Sequence, residues 1–63
     1  MIIRHVDGVL KVIDTDKKEI KLERLGRIYT YKYTEKINVK QLERQLGEAV
    51  ELIFHDDLLA RIS

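Results

Sequence analysis

The sequence predicts an all-β fold with one short helix: a small five-stranded Greek-key barrel in the order β-β-β-α-β-β. Three observations predict it. Segments in which apolar and polar residues alternate recur along the chain, separated by Gly or Asp clusters, as half-buried strands and tight turns require. One stretch, Asn38 to Gly47, changes to the period of a helix. Finally, the 63 residues contain no proline, no low-complexity run and no repeat, so residues 1–63 read as a single domain without a linker.

The first strand, "IIRHVDGVLKVID", carries Val6, Gly8, Leu10 and Val12 on one side and Val9 and Ile13 on the other. A strand that is partly apolar on both faces suits a bent strand shared between two sheets, with Gly8 at the bulge or bend. "DTDKK" is a turn, in which Asp14 and Asp16 can accept hydrogen bonds from nearby backbone amides. "EIKLERL" is next, a second strand that buries Ile20 and Leu22 and leaves Lys21 and Glu23 outside. Gly26 then turns the chain into the third strand, "RIYTYKYT".

In that third strand Tyr29, Tyr31 and Tyr33 share one side. Turned outward beside Arg27 and Lys32, the rings would stack on unpaired bases. Turned inward they are core, and the economy of the second strand favours this, because a chain with four aromatic residues needs their buried area.

"INVKQLERQLG" starts a short helix. Asn38 is placed as N-cap, Gln41 completes a capping box, and Ile37 is placed to staple onto Leu42. Val39, Leu42 and Leu46 fall on one face, and Gly47 stands where a left-handed C-terminal residue is wanted. Two turns suffice to plug one end of a barrel. "EAVELIFH" alternates Val50, Leu52 and Phe54 against Glu51, Ile53 and His55. After Asp56 and Asp57, "LLARIS" returns with Leu58, Ala60 and Ile62 on one side, which places Ile53 and Leu59 on the outer faces of neighbouring strands.

This order resembles the OB-fold, whose first strand bends across both sheets. "VDGVLKVI", "LGEAVELIF" and "DLLARI" look like the small barrels typified by bacterial translation initiation factor one. The resemblance implies topology and transfers no specific residue. It also implies a binding face on strands two and three, flanked by two loops, as OB-folds use for oligonucleotides or oligosaccharides.

Charge narrows the functional classes. The chain as a whole carries +1, but residues 11 to 36 hold eight Lys/Arg against five Asp/Glu, and residues 41 to 63 hold two against five. A basic face of Lys11, Lys21, Arg24, Arg27 and Lys32, with Tyr31 as a stacking ring, is therefore the candidate nucleic-acid site for single-stranded or structured RNA or DNA. The alternative is a protein-interaction or assembly module, joining a protein partner or a second copy through a strand edge or an Ile53/Leu59 patch.

Catalysis is not expected. There is no cysteine, the single serine is terminal, and no Gly-rich phosphate loop occurs. His55-Asp56-Asp57 reads as a turn rather than a metal or acid–base site, and His5 stands alone. Asp14 and Asp16 begin like a calcium loop, but Lys18 and the missing loop glycine break the pattern. No cofactor and no metal are expected. With no thiolate chemistry and no stretch near the roughly 20 apolar residues of a membrane span, the expected setting is the cytoplasm, without a membrane partner.

Overall fold

The computed structural model describes residues 1–63 and contains β1 (Ile3–Asp14), β2 (Glu19–Arg24), β3 (Arg27–Lys32), α1 (Val39–Arg44), β4 (Ala49–His55) and β5 (Leu58–Ile62). All neighbouring strands are antiparallel, and the sheet order is β3-β2-β1-β4-β5. This is the OB-like Greek-key order, with α1 inserted between the third and fourth strands. β1 serves both halves: residues 3 to 9 pair with β4 and residues 9 to 14 with β2. No helix is long and apolar enough to cross a membrane.

The sheet curls around one cluster of eleven buried side chains, all of them hydrophobic. Leu10, Ile20, Leu22, Leu42, Leu52 and Leu59 are essentially sealed from water. Burying such side chains is the main favourable term in so small a domain.

Two β-bulges decide which residues reach that cluster. In β1 the register steps from Leu10↔Leu22 to Val12↔Lys21, leaving Lys11 unpaired. The extra residue reverses the phase of the strand. Leu10 is buried and Ile13 packs against the core, while Val12 is exposed, contrary to the strict alternation expected for Val12 and Ile13. The bend therefore centres on Lys11, not Gly8. Gly8 is required for another reason: a Cβ there would lie 2.8 Å from the carbonyl oxygen of Glu23, where β2 crosses β1.

The second bulge is in β5, where Phe54↔Leu59 comes after Ile53↔Arg61 and leaves Ala60 unpaired. Leu59 and Ile62 therefore point inward and Leu58 is exposed. This corrects the expected Leu58–Ala60–Ile62 face by the same change of phase.

The turns obey their local chemistry. Asp14 Oδ1 accepts from the amides of Asp16 and Lys17, both at 3.1 Å. The β2–β3 turn is a two-residue connection between the paired Arg24 and Arg27, and both Leu25 (φ 53°) and Gly26 (φ 78°) have positive φ. Such turns demand φ > 0, and Gly supplies it freely. Leu25 supplies it at a cost of about 1–2 kcal/mol, because its Cβ crowds the next carbonyl. At the β4–β5 turn, Asp56 holds the start of the chain: Ile2 N donates to its carboxylate at 3.0 Å, and Asp56 N donates to Ile2 O at 2.7 Å.

Asn38 caps α1 as expected, its Oδ1 accepting from Lys40 N at 2.9 Å, and Ile37 and Leu42 are both buried. Gln41 does not close a capping box. Its Nε2 instead donates to Ile62 O at 3.1 Å, which ties α1 to β5. The helix stops at Arg44, so Leu46 lies outside it and is exposed rather than on the buried face. The cause is competition from the sheet: Gly47 N donates to Leu10 O at 2.7 Å and Leu10 N to Glu48 O at 3.0 Å, drawing the chain into β4 before a second helical turn closes.

Candidate nucleic-acid interface

The registers place the predicted basic residues with respect to the sheet. Lys21 stands opposite Thr30, and Lys32 opposite Glu19, on the outward-facing rows of the β2–β3 hairpin. The same rows hold Glu23 opposite Ile28, so this face mixes charges, with Glu19 and Glu23 half-buried and the lysines exposed. Lys11, exposed in its bulge, lies beside Val12, which pairs with Lys21. Lys11, Lys21 and Lys32 thus belong to one surface.

Arg24 and Arg27 do not share it. By alternation along β2 and β3 they fall on the rows of Leu22 and Tyr29, directly opposite one another at the hairpin end. The five predicted cations therefore form a lysine face and, separately, an arginine-flanked tip. Arg24 Nε lies 3.7 Å from Asp7 Oδ1. The other four form no ion pair, whereas Lys18, outside the predicted set, pairs with Glu35 at 3.1 Å.

The tyrosines resolve into a gradient. Tyr33 is buried, Tyr31 is half-buried with its ring centroid 5.4 Å from that of Phe54, and Tyr29 is 41% exposed. The gradient follows position along the hairpin: Tyr29, opposite Leu22, is the ring nearest the turn, Tyr31 stands opposite Ile20, and Tyr33 lies farthest from the turn. Tyr31, named as a stacking ring, is half-buried and packs against the core at Phe54. Tyr29 is the ring that remains accessible.

The expected Ile53/Leu59 patch does not form. Leu59 is 1% exposed, because the Ala60 bulge turns it inward. Ile3 and Leu58 are the exposed apolar residues on that side, in one row with His55. His55 and Asp56 lie at the β4–β5 turn, as the sequence indicated, and the Asp56 carboxylate is engaged by the Ile2 amide. His5 pairs across the sheet with Ile53, its Nδ1 3.6 Å from Glu51 Oε1 on the exposed surface.

Sequence reasoning missed a cleft of about 390 Å³ lined by Lys18, Tyr33, Thr34, Glu35, Lys36 and Leu58. It lies between the β1–β2 turn, the segment after β3 and the start of β5. No sequence signal marks it, because its walls come from three segments that only the curl of the sheet brings together.

The chain matches no protein-family model, no curated protein and no solved structure.

Proposed function

We propose that this protein is a non-enzymatic module that binds nucleic acid through the outward face of β1, β2 and β3. One observation carries the reading: Lys11, Lys21 and Lys32 stand exposed on one surface and none is engaged by a carboxylate in an ion pair. Free ammonium groups on a sheet track phosphates, and their neutralisation releases counterions, so affinity falls steeply with salt. Because Tyr31 is half-buried against Phe54, base stacking contributes little and phosphate contacts dominate. The OB-like order supports the same face by analogy. A reducing, cytoplasmic setting suits a chain without cysteine.

The test is fluorescence anisotropy of a labelled 20-nucleotide single strand and of a hairpin RNA, titrated at several salt concentrations. Binding at low salt is expected. The triple change Lys11→Glu, Lys21→Glu and Lys32→Glu should weaken it and reduce the slope of log affinity against log salt by about 2, at roughly 0.7 per phosphate contact. Absence of binding at low salt, or indifference to the three reversals, defeats the reading.

A further inference from the structure

The tip of the β2–β3 hairpin presents an exposed leucine between two arginines. Leu25 is 95% exposed and holds a left-handed backbone, φ 53°, which a leucine adopts only against steric resistance. Beside it, Arg24 and Arg27 are directly opposed across the last pair of the ladder; Arg24 Nε lies 3.7 Å from Asp7 Oδ1, and Arg27 forms no ion pair. An Asn or Gly at position 25 would relieve the backbone. Lys18 and Asp56 hold the same left-handed backbone in the other two hairpin turns, so what sets this tip apart is the bare leucine that carries it. The next residues outward on β3, Ile28 and Tyr29, are also exposed, at 54% and 41%.

We propose that this tip is a wedge for double-stranded nucleic acid. Leu25 enters between base steps from the minor groove, and Arg24 and Arg27 hold the phosphates or base edges on either side. An apolar side chain flanked by basic ones is how minor-groove binders unstack a step and bend the duplex, and two-stranded ribbons are among the elements that enter DNA grooves. The two arginines account for the choice of ligand: one on each side of Leu25, they match a polyanion that presents negative charge on both sides of an apolar object. An acidic protein surface offers the charge without a stack to open. The inference rests on the nucleic-acid reading of the lysine face and narrows its ligand to a duplex, whose backbone the lysines would track.

The experiment compares the whole protein with Leu25→Asn, which removes the wedge and suits the left-handed backbone. The probes are a 25-base-pair duplex carrying a fluorescence energy-transfer pair at its ends and the corresponding single strand, with polyglutamate as competitor. For the unchanged protein, end-to-end transfer should rise on binding and the duplex should be preferred. Leu25→Asn should reduce the ratio of duplex to single-strand affinity about tenfold and abolish the rise in transfer. Its thermal midpoint should increase, which shows that the loss is not one of folding. A variant that binds and bends the duplex like the unchanged protein overturns the wedge while salt-dependent binding by the lysine face stands. Displacement of the duplex by polyglutamate at equal charge also overturns it. No binding to either nucleic acid at low salt overturns both readings together.

Discussion

At the scale of single residues, Gly8 is required for a cause other than the expected bulge, which lies at Lys11. It breaks an otherwise apolar strand, and the natural inference from the sequence is a bulge. Its backbone needs no unusual conformation. What it needs is the absence of a side chain, because Glu23 O and the Leu22 side chain occupy the space a Cβ would fill, at 2.8 and 3.3 Å. The nearest atom is backbone and cannot rotate away. Gly8→Ala should therefore destabilise the protein by about 1–3 kcal/mol, the usual range for forced overpacking. Urea denaturation monitored by circular dichroism would measure it, and an unchanged midpoint would mean that the crossing of β1 and β2 relaxes freely. The tyrosines carry the complementary lesson. Their shared side is legible from spacing alone, but how deeply each sits follows its distance from the hairpin turn.

At the scale of elements, the two bulges are the largest departures from simple alternation. Each inserts one residue, Lys11 in β1 and Ala60 in β5, and each exchanges the faces of the residues after it. Two single deletions in β1 should therefore differ in outcome. Deleting Lys11 joins the pairs Leu10↔Leu22 and Val12↔Lys21 into a regular ladder and keeps Leu10 and Ile13 inside. Deleting Val9 instead turns Val6 outward and removes it from the core. The first variant should retain a strand-type far-ultraviolet spectrum and a cooperative thermal transition, and the second should lose both. Equal collapse of the two would show that the bulge bends the strand indispensably rather than setting its phase. Neither bulge is visible in the sequence, since Lys11 and Ala60 are ordinary residues for a strand. The N-cap is visible, because capping depends on a side chain two residues from the amide it accepts from.

At the scale of the whole molecule, one hydrophobic cluster supports everything. A domain of this length has a total stability of about 3–9 kcal/mol, and truncating a sealed leucine costs about 2–5 kcal/mol. Leu52, on β4 between Val6 and Ile62, has no exposed surface. Leu52→Ala is expected to bring the protein close to its unfolding midpoint at room temperature, seen as collapsed dispersion in a proton–nitrogen correlation spectrum. A well-dispersed spectrum would place the stability elsewhere than in this cluster. The seam between β3 and β5 is the other global feature. These strands are the two ends of the sheet order and form no ladder with each other; the segment after β3 and the Gln41–Ile62 hydrogen bond lie there instead. The cleft walled by Tyr33, Lys36 and Leu58 opens at this seam.

Spacing along the chain was enough to specify the element order, the turns, the capped start of the helix, the inward face of β2 and the concentration of basic residues in the first half of the molecule. All of these depend on contacts between near neighbours, which one chain carries in full. Folding in three dimensions was needed to grade the tyrosines from buried Tyr33 to exposed Tyr29, to exchange the roles of Leu59 and Leu58, and to part the arginines from the lysines. Each of those outcomes depends on register between strands, and a single unpaired residue is enough to reverse it.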